Sequence, residues 1–379
     1  MEKTIKILVL GGGLIGKPLA VDLAGDKELR ITVADKNINV FNGLHTFSID
    51  TVQADLSDER IINKLVKPFD IVVNAVPGFM GFNTLKAVIN AGKDCIDFAF
   101  FPENVLLLKP LAMEKGVRVI SDLGVAPGMS NLLSGDAARE MDEIDTLEIL
   151  VGGLPKIRQQ PWEYKAVFSP VDVIEEYTRP ARMVVNGKIV TVPPLTDVEQ
   201  VYFEEAGALE AFNSDGLRSL LFTMKARNMC EKTLRYPGYA SKIKLLADSG
   251  FFDTEPVLSG QKTFIPLEVT SAMLFNQWKL EEEEHDFTVM RITAKGNKND
   301  KPMTITYNLY DEYDEKTKTH SMARTTAYTA SMGVRLLLSG LLNDNGLYLP
   351  EELGDNEKIV SFFLNGLADR KVFYKKSVW

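Results

Sequence analysis

With 379 residues the chain is long enough for two or three lobes of roughly 150 residues each, and its 45% hydrophobic and 25% charged residues exclude a disordered or collagen-like polymer. Subtracting 52 Asp+Glu from 43 Lys+Arg leaves a net charge of −9 with no dense basic block, so no nucleic-acid partner is expected. No apolar run reaches the roughly 18 residues of a spanning helix, so no membrane partner is expected, and two cysteines, Cys95 and Cys230, without zinc-site spacing fit a reducing, cytoplasmic setting.

The first 125 residues alternate short β-rich apolar runs with amphipathic stretches, the pattern of a parallel sheet covered by helices. The runs are KILVLGG, RITVADK, HTFSIDTVQAD, FDIVVNAV, KDCIDFAF and VRVISDLG. Ile5 to Leu10 resembles the core of a signal peptide, but Gly11, Gly12 and Gly13 interrupt it at once, so it reads as a strand. Gly11, Gly13 and Gly16 form G-x-G-x-x-G between that strand and the apolar stretch PLAVDLAG, with Leu14 and Ile15 inside the loop. Here Gly11 permits a tight turn, Gly13 a close backbone approach to a pyrophosphate, and Gly16 close packing of helix on strand. Asp35 ends the next run, 19 residues after Gly16, where a carboxylate can bond both ribose hydroxyls of an adenosine. It repels a 2′-phosphate, so NAD is the expected cofactor; the adjacent Lys36 is the one feature that accommodates such a phosphate.

Further along, Asp55 is placed near the adenine, and Asn74, Ala75 and Val76 along the nicotinamide ribose; loop capping explains these residues equally well. Asn74, Asp97 and Asp122 all close strand runs, and the carboxyl ends of strands form the ligand crevice of a doubly wound sheet. Asp97 is the candidate catalytic residue, holding or deprotonating an amine, with capping of the following loop as its other reading. Pro127 and Gly128 make a turn after the last of these strands and are candidates for the cofactor's edge, although a structural turn alone explains them.

From about residue 145 longer strands joined by hairpins begin. ARMVV and KIVTV flank Asn186-Gly187, the strongest short hairpin signal. SPVDVIEEY reads as a helix start with Ser169 as N-cap and Pro170 at the first helical position. TVMRITA and MTITYNLY pair around KGNKND, and a helix over MARTTAYTASMGVRLLLSGLL ends near Gly340. The expected fold is α/β: an N-terminal doubly wound Rossmann domain over 1–125, an α+β substrate domain with a mixed or antiparallel sheet over 126–320, and a helical segment over 321–379 returning to the first domain. His45, His285 and His320 have no metal-ligand spacing, so no metal site is expected.

The blocks DLGVAPGMSN, VGGLP, YKAVFSPVDVIEEYTRPA, EAFNSDG, TLRYPGY and MARTTAYT occur in the order found in the saccharopine reductase-like family, and the resemblance covers nearly the whole chain. Within that family the chain looks most like the lysine 6-dehydrogenases, NAD-dependent enzymes that oxidatively deaminate the side-chain amine of lysine. The resemblance implies an amino-acid substrate, oxidation to a semialdehyde that cyclises, and a homodimer. Reduction of an imine, as in saccharopine or carboxynorspermidine synthesis, is the alternative, and a non-catalytic NAD-binding regulator a more distant one. Saccharopine reductases resemble one another in having Asn-Arg-Asp-Ser where this chain has Asn213-Ser214-Asp215-Gly216, and Ser214 cannot clamp a carboxylate as that arginine would. The D-P-G-I-D-H aspartate of the family is likewise replaced, by Ala126. For the substrate's α-carboxylate the candidates are Arg235 and Arg179, with Lys242 behind them, while Tyr164 and Tyr236 offer hydroxyls or simply pack.

Overall fold

The computed structural model describes residues 4–167 and 170–379, in two units. The first comprises residues up to Glu140, Phe222–Met224 and Ala323–Phe373. Its sheet contains β1 (Ile5–Leu10), β2 (Leu29–Asp35), β3 (Asp50–Gln53), β4 (Ile71–Asn74), β5 (Asp94–Asp97) and β6 (Arg118–Ile120). Their order is β3-β2-β1-β4-β5-β6, and Gly346–Tyr348 adds a seventh strand beside β6. Every pairing is parallel. Strands covered on both faces carry near-continuous apolar runs; Ile7–Leu10 and the whole of β4 are buried accordingly. The chain reverses direction across the sheet between β1 and β4, so their carboxyl ends diverge into a crevice.

The second unit comprises Met141–Leu221, Lys225–Met322 and Tyr374–Trp379. Its strands are β7 (Glu143–Pro155), β8 (Ala181–Val185), β9 (Lys188–Val192), β10 (Glu199–Phe203), β11 (Gly207–Asn213), β12 (Ala226–Arg235), the separate hairpin β13 (Val257–Ser259) and β14 (Lys262–Phe264), then β15 (Asp286–Lys298) and β16 (Lys301–Glu312). The main sheet runs β10-β11-β12-β7-β15-β16 and closes on Tyr374–Val378, with β8 and β9 attached to β12. Only β12 and β7 pair in parallel, which makes the sheet mixed. Asn186 and Gly187 take φ of 50° and 75°, as a two-residue hairpin requires. The turn expected over KGNKND contracts to Asn299-Asp300, both with positive φ, because the flanking strands pair as far as Lys298 and Lys301. A helix begins at Pro170, while its expected cap, Ser169, lies outside the described residues.

The domain limits differ from those expected. The helix Met129–Glu140 groups with the first unit because Gly135 lets its backbone meet that of Glu351, where any side chain would collide. The terminal strand instead extends the second unit's sheet through its ladder with β16. Ser321 and Met322 also stay with the second unit, their N–H groups capped by the buried Asp286 carboxylate at 2.7 and 3.0 Å. Gly346–Tyr348 was hidden in the sequence because three residues give no periodicity to read.

Candidate functional site

In the first unit the glycine loop has the shape expected of it. Gly11 takes φ of 103°, and a Cβ there would sit 2.5 Å from the carbonyl oxygen of Ala75. Gly16 opens the helix α1 (Gly16–Leu23), and a Cβ on it would strike the carbonyl of Gly11. Gly13 is different: it is exposed, and nothing lies within 4 Å of where its Cβ would be. Its bareness relieves no crowding inside the unit and leaves room for a backbone approach from outside. Leu14 is exposed beside it, and Ile15 is half-buried at the helix N-cap.

Asp35 ends β2 facing this loop. Its Oδ2 accepts the Gly12 N–H at 2.8 Å and its Oδ1 the Asn37 N–H at 2.8 Å. A carboxylate has about four lone-pair positions, so each oxygen keeps one to offer. Lys36 is exposed, and its carbonyl accepts from Gln53. Asp55 is also exposed; its Oδ1 accepts both the N–H and the hydroxyl of Ser57, which hold its carboxyl below the usual aspartate value and make it a loop cap.

At the ends of β4 and β5 lies Asp97. This residue is 0% exposed. Its Oδ1 accepts Asn74 Nδ2 at 2.7 Å and its Oδ2 the Ser121 hydroxyl at 2.6 Å, so the carboxylate is enclosed by its neighbours on the sheet. Burial pushes its pKa up to about 7, and the negative Asp122 adds to the shift against the hydrogen bonds from Ser121 and Asn74. Asn74 is equally buried: Nδ2 also donates to Gly81 O at 3.1 Å, while Oδ1 has no partner among the described residues. Ser121 completes the cluster and had no distinguishing mark in the sequence. Ala75 contributes its backbone to the crossing with Gly11, and Val76 is buried in the core.

Pro127 and Gly128 form a local turn. Gly124 N–H donates to Pro127 O at 2.9 Å and Met129 N–H to Gly124 O at 2.9 Å. Gly128 has φ of 134°, and a Cβ there would collide with the backbone of Gly124. We therefore expect Gly128→Ala to cost at least about 2 kcal/mol of stability in urea unfolding; an unchanged midpoint would contradict this account of the turn.

The second unit gathers its polar residues on one face of β12. Glu231, Thr233 and Arg235 alternate along the strand and so share that face. Arg235 is 2% exposed and lies 4.5 Å from the centre of the Tyr164 ring. Its Nη2 donates to Glu176 at 2.8 Å and to the Tyr177 hydroxyl at 3.1 Å, and Nη1 donates to Leu234 O at 2.9 Å. The guanidinium expected to hold a substrate carboxylate is therefore engaged by the protein's own acid. Arg179 pairs with Glu175 of the helix that it follows, and Lys242 donates to Pro161 O at 2.7 Å near the surface. Tyr236 donates its hydroxyl to Pro155 O at 2.9 Å, which is a packing role. Tyr164 is 3% exposed, and its hydroxyl has no partner among the described residues.

Sequence reasoning passed over Glu231 and Glu176. The Ser214 hydroxyl donates to Glu231 Oε2 at 2.7 Å, and Thr233 donates to Ser214 Oγ at 2.8 Å. Burial pushes Glu231 up to about 8, with the charges of Glu176 and Asp215 adding to it. The available signal was the E-x-T-x-R alternation of β12, polar at three successive positions of a face that the expected core should have filled with apolar side chains.

A family model described as the saccharopine dehydrogenase NADP binding domain matches residues 7–120, and one described as the saccharopine dehydrogenase C-terminal domain matches residues 124–372. The chain belongs to the saccharopine dehydrogenase family of oxidoreductases. Its first unit is thus a pyridine-nucleotide-binding domain. Alpha-aminoadipic semialdehyde synthase of Mus musculus is 26% identical over 270 residues, 67% of this chain but only 29% of the mouse protein. The chain therefore spans under a third of that relative's length. Saccharopine dehydrogenase [NADP(+), L-glutamate-forming] of Saccharomyces cerevisiae is 23% identical over 444 residues and 98% of each chain. The solved apo structure of a yeast L-Glu-forming saccharopine dehydrogenase aligns with a TM-score of 0.81 over 99% of this chain and 100% of that one, at 19% identity, and so shows the shared fold. Among the described residues of this saccharopine dehydrogenase family member no helix is long and apolar enough to cross a membrane, and no group of His, Cys, Asp and Glu is placed to hold a metal.

Proposed function

We propose that this family member is an NAD-dependent dehydrogenase that oxidatively deaminates the side-chain amine of lysine to the semialdehyde, which then cyclises. The cofactor half rests on Asp35, whose carboxylate lies against the glycine loop with an acceptor position free on each oxygen. Two hydroxyls of an adenosine ribose fit that arrangement, and a 2′-phosphate would bring like charge to it. The observation that carries the substrate half is the setting of Ser214, whose hydroxyl is given to Glu231, so that this position offers no cation to a second carboxylate. An acidic, hydroxyl-rich surface suits an amine.

The glycine loop and Asp35 would hold the dinucleotide, whose nicotinamide ring supplies the hydride acceptor. Loss of hydride from the amine-bearing carbon leaves an imine, and water converts this to aldehyde and ammonium. Only a neutral amine can release hydride in this way. Lysine's amine has an ordinary pKa of about 10.4, so neutralising it at pH 7 costs about 4.6 kcal/mol. None of the three histidines is a hydrogen-bond partner given for Asp97 or Glu231: His45 is in a surface turn, His285 stacks on Tyr313 and His320 meets that ring edge-on. We therefore expect oxidation to climb from neutral pH to pH 9 or above, followed as NADH formation.

The same assay with lysine, diamines and saccharopine, each with NAD and with NADP, tests the proposal. Lysine with NAD should be the best pair; NADH from saccharopine and none from lysine at any pH would sink the lysine reading and leave the Rossmann assignment intact. A saccharopine-type or carboxynorspermidine-type imine reductase is the second reading, favoured by the full-length similarity to the yeast NADP-linked enzyme. It would show its reductive rate near neutral pH with a keto acid or aldehyde present.

A further inference from the structure

We propose that Glu231 is the ammonium-binding residue of the second unit, so that the compound held there carries a free primary amine, as lysine or a diamine does. The inference rests on the reading of the chain as an amine dehydrogenase and adds to it the group that selects the substrate.

The argument begins with the cations around Glu231. Arg235, on the same face of β12, is given to Glu176. Arg182 grips Asp215 through two hydrogen bonds of 2.8 Å. Lys232 lies on the opposite face and contacts Asp197 at 2.7 Å and Glu199 at 2.6 Å. Among the described residues the partners of Glu231 are uncharged, the Ser214 hydroxyl at 2.7 Å and the Gly216 N–H. It is 6% exposed, and the nearby charges that act on it most, Glu176 and Asp215, are negative. A buried carboxylate without a cation is unfavourable, and here the protein's own cations are committed elsewhere. Gly216 adds a steric point, since a Cβ there would collide with the Glu231 carboxyl, so the loop keeps that space clear.

A second, independent observation concerns the aromatic layer over this face. Among the described residues the buried Tyr164 hydroxyl makes no hydrogen bond of normal geometry, its interaction with Tyr177 falling short of one, and it lies in the electrostatic field of Arg235 and Glu176. Trp278 Nε1 in the same core, 0% exposed, also lacks a partner. A native core normally satisfies such groups, and because Glu176 acts on both Tyr164 and Glu231, the leftover polar atoms and the acid are read as parts of one surface that a ligand completes. An ammonium has three donors and no acceptor. Carboxylate and hydroxyl oxygens suit it, and a second carboxylate in its place would face Glu231 with like charge.

This assignment gives substrate binding a pH signature. Glu231 holds a proton up to about pH 8 and must release it to pair with an ammonium. Affinity should therefore rise roughly tenfold per pH unit up to that value and level off above it. The test is calorimetric titration of lysine into the protein saturated with NADH, from pH 6.5 to 9, in buffers of different ionisation enthalpy. The wild type should release close to one proton per lysine below the midpoint. Glu231→Gln should weaken lysine at least tenfold at pH 8.5, abolish the pH dependence and leave NADH affinity unchanged. Ser214→Ala removes a donor to the carboxylate, so it should move the midpoint upward with the high-pH affinity preserved. Should Glu231→Gln melt early but bind lysine with the wild-type affinity and pH profile, Glu231 only clamps the 213–216 loop and the inference is overturned. If the wild type oxidises lysine in that case, the function reading survives alone. A wild type that binds no primary amine and oxidises saccharopine overturns both.

Discussion

Asp35→Ser should reverse the nucleotide preference, with the dissociation constant for NADH rising at least tenfold and that for NADPH falling. The wild-type carboxylate keeps one acceptor position on each oxygen after bonding Gly12 and Asn37. Hydrogen bonds to a charged group contribute about 1.5–3 kcal/mol, and each 1.4 kcal/mol is a factor of ten. Serine keeps one short acceptor for the Gly12 N–H and removes the charge that repels a 2′-phosphate, while Lys36 remains exposed next to it. Fluorescence titration with both reduced nucleotides measures the effect without turnover. A wild type that already binds NADPH more tightly than NADH would show that Asp35 does not face the adenosine ribose.

The six Rossmann strands were legible because a parallel sheet demands something sequence displays directly, short β-branched runs closed by polar residues and spaced by helices. The glycine loop was legible for the same reason: Gly11 and Gly16 are bare because backbone carbonyls occupy the space a Cβ would need, and that constraint is local in sequence. The second unit's site was not legible in this way. Arg235 reads as a free cation inside a family block, and nothing in the sequence shows that Glu176, 59 positions earlier, claims it. Ser214 reads as the loss of a clamp; only the fold shows its hydroxyl bonded to Glu231 from the neighbouring strand. Asp97 reads as a strand-end acid open to ligand, whereas its neighbours across the sheet, Asn74 and Ser121, enclose it. These differences have one cause. Residue type predicts the chemistry a side chain can do, but its partners lie on other strands, and they decide whether it is available.

The enclosure of Asp97 leads to a large stability effect. Its pKa is about 7 in the folded chain, against an ordinary value of 3.8 for an aspartate in the unfolded one. A carboxyl raised by folding contributes stability that is fully present below the unfolded value and is lost as pH rises to the folded one. The unfolded chain ionises first and is favoured progressively, until both states are charged above about pH 7. A shift of about three units corresponds to about 4 kcal/mol lost over that window. Asp97→Asn removes the titration while keeping the geometry: its Oδ1 can accept from Asn74 and its amide can donate to the Ser121 oxygen. Urea unfolding of the variant should therefore nearly match wild type at pH 4 and exceed it by several kcal/mol at pH 8, with about 2 kcal/mol of the gap opening between pH 5 and pH 7. Glu231→Gln should behave alike over a window reaching about pH 8. Comparing each variant with wild type at the same pH cancels the acid-side loss of the surface ion pairs, which works in the opposite direction. A gap between Asp97→Asn and wild type that stays constant from pH 5 to pH 8 would mean that Asp97 is already ionised in the folded protein. Its contacts with Asn74 and Ser121 would then hold an anion with no penalty for burial.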